Sequence, residues 1–157
     1  MQLTKKAEYA IRAMVDLATR YHRQPVMSKD IAAREDIPVK FFVQIIPSLK
    51  NAGLIHTVRG NGGGIYLSKR PPEINLKQII EAIEGPIAIN QCLASDNGCS
   101  RKPSCAIHKV WRKAQEQMLT VLESTSLATL AVSKILPAQA NAPEDIERVS
   151  NEIEIDV

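Results

Sequence analysis

Aromatic residues make up only 4% of this 157-residue chain. Hydrophobic residues still reach 45%, so Leu, Ile, Val and Ala must carry the packing, which favours helices. No apolar run approaches the roughly 20 residues needed to span a bilayer, and no membrane partner is expected. The opening MQLTKKAEYAIRAM has neither the apolar core nor the cleavage site of a secretion signal, so the expected location is cytoplasmic. Cysteine is scarce. There are three, an odd number, and in a reducing compartment that argues for ligands or sensors over structural disulfides. Enzyme signatures are missing as well. His22 and His56 have no neighbouring Ser, Asp or Glu that suggests a catalytic set, and no cofactor fingerprint is present, so an enzyme is not expected.

Acidic residues are short in the first half. Residues 1–70 carry 12 Lys/Arg against 5 Asp/Glu, a net of +7, whereas residues 71–157 carry 8 against 12, a net of −4. The basic half is a candidate for a polyanion partner; the alternative is an ordinary solvated surface.

What is present in that half is a series of short elements. Thr4 can cap a helix starting at Lys5, and Leu3, Ala7, Ala10, Ile11, Met14, Leu17, Ala18 and Tyr21 recur at helical spacing until Pro25. Ser28 is read as the N-cap of a short second helix, about 29–34. After the turn Glu35-Asp36-Ile37, Pro38 starts a third helix that Gly53 ends, with Pro47 inside it expected to kink it or thin its hydrogen bonding. Two short helices about three residues apart form a helix-turn-helix. Residues 54–58 and 65–67 then read as strands around the turn Arg59-Gly60-Asn61-Gly62-Gly63-Gly64. A hairpin placed there makes a winged helix. The expected fold is mainly α with a small β-hairpin wing. The glycines let the backbone approach another surface closely, and Arg59 at the tip can enter a DNA minor groove. A winged helix used only for protein contacts is the alternative, since fold does not dictate function.

Beyond Pro71-Pro72, Ile74, Leu76, Ile79, Ile80 and Ile83 mark a connecting helix that ends at Gly85-Pro86. From about Ala106 to Glu123, Val110, Trp111, Ala114, Met118, Val121 and Leu122 share one face of a long helix. That stripe needs another apolar surface, and a second copy of the chain is the economical partner, with packing inside the monomer the alternative. Thr125 or Ser126 can cap a last helix, 127–136. The Ala/Pro/acid-rich residues 137–157 read as a disordered tail. The expected organisation is thus a DNA-binding unit at 1–70, a connecting helix at 71–91, a loop at 92–108, dimerisation helices at 106–136 and the tail.

The loop holds every cysteine: Cys92, Cys99 and Cys105, followed by His108, in the pattern C-x6-C-x5-C-x2-H. Thiolate and imidazole donors crowded together suit an iron–sulfur cluster or zinc. The pattern lacks the C-x2-C knuckle of most zinc fingers. A zinc-stabilised protein and a thiol–disulfide sensor remain the alternatives.

With these motifs in view, the chain resembles the Rrf-two family of bacterial winged-helix regulators over residues 1 to about 136. The likeness rests on LTKKAEYAIRAM, on PSLKNAGLI running into VRGNGGGIYL, and on the cysteine triplet entering CAIHKVWRKAQ. The resemblance implies a homodimer on a palindromic double-stranded DNA operator, with the third helix in the major groove, the wing at the minor groove, and a cluster biasing DNA affinity. It matches Cys92, Cys99 and Cys105 to the cluster thiolates. His108 matches the fourth ligand of IscR-like members, which suits a 2Fe–2S centre. Glu8 falls where NsrR-like members place an Asp reaching the other subunit's cluster, which suits a 4Fe–4S centre. The CAIHKVW run is IscR-like, so His108 and 2Fe–2S are preferred. Expected DNA contacts are Lys5, Ser28, Lys40, Gln44, Lys50, Arg59, Gly60 and Gly62, with Gln44 able to pair bidentately with adenine. The chain departs from the family in its first cysteine gap, six residues instead of the common five. It also carries Val43 where an acidic residue stands, and Lys40 in place of a small polar one.

Overall fold

The computed structural model describes residues 2–21, 25–60, 62–94, 99 and 101–136; residues 137–157, read above as a tail, lie outside them. Helix α1, Lys5–Ala18, starts where the Thr4 hydroxyl accepts the Ala7 N–H at 3.3 Å, as the sequence suggested. Its inward face, Ala7, Ala10, Ala13, Met14 and Leu17, is nearly or wholly buried. Helix α2 spans Ser28–Arg34 and α3 Val39–Asn51. Between them Asp36 takes a positive φ of 50°, which turns the chain.

Ser28 is not the N-cap of α2. Met27 occupies that position with extended backbone and no side-chain cap, and Ser28 is already the first helical residue. One residue further along the helix, a serine hydroxyl no longer overhangs the free N–H groups of the first turn. Pro47 does not divide α3, which continues as one helix through it. The end of α3 is a full Schellman motif: Gly53 at φ 68° donates to Lys50 O at 2.9 Å and Leu54 to Leu49 O at 3.0 Å.

Strands β1, Ile55–Val58, and β2, Gly64–Leu67, pair antiparallel, with Ile55 opposite Leu67 and Val58 opposite Gly64. Val26 exchanges both backbone hydrogen bonds with Ile65, at 2.9 and 2.8 Å, and so pins the wing to the segment before α2. Gly64 is required there, since a Cβ would lie 2.5 Å from Val26 O.

A 3-10 turn at Pro71–Glu73 leads to α4, Leu76–Glu84, whose Asn75 and Gln78 form a reciprocal capping box. A short helix α5, Gln91–Ala94, and a 3-10 turn at Lys102–Ser104 precede α6, Ala106–Ser124. Helix α7, Leu127–Ile135, is capped by Ser126, which accepts from Thr129 N–H at 3.2 Å. Backbone bonds from Leu76 to Thr125 and from Leu127 to Ile74 tie the start of α7 to the start of α4.

One core runs through the molecule. Met14, Ile31, Phe42, Ile45, Leu49, Ile55, Ile74, Ile79 and Leu127 all belong to it, so α4 and α7 pack on the winged helix itself. Two buried carboxylates carry ion pairs at its margin, one joining α1 to α2 and one joining α2 to α7. Asp16 on α1 is 2% exposed and takes two hydrogen bonds from Arg34, at 2.6 and 3.0 Å, and one from Arg20 at 3.4 Å. Glu35, at the end of α2, is paired with Lys134 of α7, and Arg12 of α1 donates to its carbonyl. Among the described residues no helix is long and apolar enough to cross a membrane.

Candidate functional site

Two surfaces concentrate the candidate residues. The first is the outer side of α3 with the wing. Phe42, Ile45 and Leu49 anchor α3 in the core, which turns Lys40 and Gln44 outward, and both are exposed. Lys50, Arg59, Gly60 and Gly62 are exposed too, while Ser28 is half-buried. Gly60 and Gly62 take φ of 102° and 82°, a region that favours glycine, and Gly63 N–H closes the turn on Gly60 O at 3.0 Å. A groove of about 370 Å³ runs between the start of α2 and the wing, bordered by Ser28, Lys29, Ile46, Thr57 and Gly63.

Electrostatics mark this side further. Lys29, Lys40, Lys50 and Arg59 form no ion pair among the described residues. Arg12, Arg20 and Arg34, by contrast, are spent on Asp16 and Glu35 inside the fold. Lys5 is also engaged, 2.5 Å from the Glu8 carboxylate, and that contact raises its ammonium pKa above the ordinary value. Lys29, unpaired among the described residues, borders the groove beside Ser28 and is not distinguished by the sequence pattern.

The second surface is the segment from α5 to the start of α6. Cys92 lies on α5, Cys99 follows, and Cys105 is the N-cap residue of α6; all three are free and half-buried. His108 stands in the first turn of α6, where its backbone N–H reaches Cys105 O at 3.2 Å. Its Nε2 is buried and has no hydrogen-bond partner among the described residues. Gln115, two turns further on, accepts from Ile89 N–H at 3.1 Å and holds the approach to α5 against α6. Among the described residues no three His, Cys, Asp or Glu side chains gather so as to hold a metal ion. The link from Cys92 to Cys99 includes residues 95–98, which lie outside them. Glu8 sits apart, exposed on α1 and paired with Lys5.

As chemistry, the donor set fits a soft metal centre: three free thiols and a buried imidazole nitrogen without a partner.

Comparisons with known proteins converge on one group. The model of the family Rrf2, described as "Iron-dependent Transcriptional regulator", matches residues 3–133. The HTH-type transcriptional regulator IscR of Aliivibrio salmonicida (strain LFI1238) is 34% identical over 132 residues, 84% of this chain and 78% of that one. Among solved structures, T. potens IscR superposes with a TM-score of 0.68 at 30% identity, covering 92% of this chain and 96% of that one. CymR (YrzC), the global cysteine regulator of B. subtilis, superposes with a TM-score of 0.70 at 28% identity, covering 85% and 98%. These relatives are regulators of transcription and not enzymes. The chain therefore belongs to the Rrf2 family of DNA-binding, winged-helix transcriptional regulators.

Proposed function

We propose that the chain acts as a homodimer whose affinity for operator DNA is set by an iron–sulfur cluster carried between α5 and α6. The observation that carries this reading is His108. A buried ring nitrogen left unpaired costs about 1–3 kcal/mol, and a metal bond at Nε2 would offset that cost. Cys92, Cys99 and Cys105 would supply the thiolates and His108 the fourth donor, a set that suits a 2Fe–2S centre. The Glu8 carboxylate of a second copy is the alternative fourth donor and suits a 4Fe–4S centre. It would first have to leave Lys5, which is a small demand for an exposed pair. When bound, such a cluster supplies a centre open to modification by oxidants or nitric oxide. The likeness to IscR proteins supports this choice.

The homodimer is supported by α6. None of its 19 residues is buried, and Ile107, Val110, Trp111 and Val121 are exposed at 50%, 56%, 37% and 62%. A helix this long with a bare apolar stripe is matched by a second copy. Lys5, Lys40, Lys50 and Arg59 are proposed to bind phosphate or groove edges, with Ser28, Gly60 and Gly62 bringing backbone close to the duplex. Gln44 is proposed as the base reader. Tethering the Cys92–His108 segment would fix α6 relative to the winged helices, and hence the spacing of the two α3 helices. Half-sites sit one helical turn apart, about 34 Å, so a bias of about 1–3 kcal/mol between arrangements is enough for a switch.

Anaerobic reconstitution with iron and sulfide, read by visible absorption and electron paramagnetic resonance, tests the reading. A coloured protein whose spectrum changes in His108→Ala is expected; an unchanged spectrum moves the fourth bond to Glu8. In gel shifts at fixed salt, Cys92→Ala is expected to differ from the loaded protein, and equal affinities would remove the switch. The free cysteines also support a thiol–disulfide sensor. A colourless protein whose air-exposed form shows a disulfide by mass spectrometry would establish that reading instead, and one that binds zinc without colour would establish a structural metal.

A further inference from the structure

The outer ridge of α3 leaves apolar groups bare where a DNA-reading helix has most use for polar ones. Lys40, Val43, Gln44 and Pro47 stand at i, i+3, i+4 and i+7 opposite the buried Phe42, Ile45 and Leu49, and all four are exposed. Val43 is 57% exposed, and Val39, one turn before it, 59%. Phe41 is exposed as well, but its ring lies against Tyr9 at 6.0 Å between centroids, which gives it a partner within the chain. Single exposed valines are ordinary on a surface. These two sit beside the amide of Gln44 and the ammonium of Lys40, and β-branched residues are not favoured in exposed helix positions by propensity. Pairing of two copies does not require them, because α6 has an apolar stripe of its own.

We propose that Val43, with Val39 extending the strip, reads the 5-methyl group of thymine in the operator. This rests on α3 entering the major groove. There thymine alone among the four bases presents a methyl group, and an aliphatic side chain against it discriminates by contact. Gln44 suits the adenine of an A·T pair, and the thymine methyl lies on the same groove edge. Adjacent side chains thus complement one A·T pair or two neighbouring ones. The valines convert exposed apolar surface into sequence preference, a role a charged residue at 43 could not fill.

The test uses the full chain and a duplex selected by it from a randomised pool. Each thymine of the selected half-site is replaced singly by deoxyuridine, which removes only the methyl. At one or two positions affinity is expected to fall about fourfold, the worth of one buried carbon. Val43→Ala is expected to lose a similar factor on the thymine duplex and nothing further on the deoxyuridine duplex, with thermal unfolding unchanged. Gln44→Ala is the control for groove entry. If Gln44→Ala weakens binding while every deoxyuridine duplex binds like its parent, thymine reading is overturned and groove entry stands. If Gln44→Ala and Val43→Ala both bind like the parent chain, both are overturned.

Discussion

Helices α1 and α6 carry the same kind of amphipathic pattern and meet opposite fates. In α1, Ala7, Ala10, Ala13, Met14 and Leu17 disappear against α3, α4 and α7. In α6 not one residue is buried: the helix packs against α4 and α5 yet leaves Ile107, Val110, Trp111 and Val121 exposed. A stripe at helical spacing states that a face needs cover. It does not state what provides the cover. For α1 the rest of the chain does so, whereas among the described residues nothing covers the apolar face of α6.

The largest expected break in this contrast comes from the core. Met14→Ala in α1, at a side chain 0% exposed, is expected to lose about 2–5 kcal/mol in denaturant unfolding. Val121→Lys on α6 should leave the far-ultraviolet spectrum intact and shift light scattering toward single copies. If it destabilises the chain as much as Met14→Ala does, the difference between the two helices is wrong.

A smaller effect probes the charges beneath α1. Burial pushes the Asp16 carboxyl up, but the hydrogen bonds and charge of Arg34, with Arg20 behind, overcome this and hold it below its ordinary value of 3.8. A depressed carboxylate contributes stability that is fully present above the unfolded value and lost as pH falls through the folded one. Asp16→Asn is expected to cost about 1.5–3 kcal/mol near neutrality. The gap between the two proteins should narrow below about pH 4, in unfolding curves taken across that range. A gap independent of pH would remove the carboxylate from the account.

The smallest effect lies where α6 hands over to α7. Ser126→Ala removes the hydroxyl that accepts from Thr129 and is expected to cost about 1 kcal/mol, read as a lowered melting temperature. No change would mean that the backbone bonds from Leu127 to Ile74 and from Leu76 to Thr125 hold the joint alone.

Much of this was legible in the chain because it is local. Thr4 and Ser126 cap, Gly53 and Gly85 terminate, and the glycine cluster turns the wing, each within a few residues of what it acts on. Ser28 misled because Ser, one position early or late, looks the same in sequence; only the backbone of Met27 decides which residue begins the helix. The partnership of Glu35 with Lys134 spans 99 residues and follows no spacing rule. Helix α5 is four residues long, too short for periodicity to reveal.

The sequence by itself determined which groups share a segment: three thiols and an imidazole in one stretch, and a helix-turn-helix followed by a glycine-rich wing. Those depend on residue type and near-neighbour geometry. Tertiary structure alone decided which cations are unpaired, which imidazole nitrogen lacks a partner and which apolar face stays bare among the described residues. Burial and ion pairing are settled by residues far apart in the chain competing for the same space, and no local pattern records who wins.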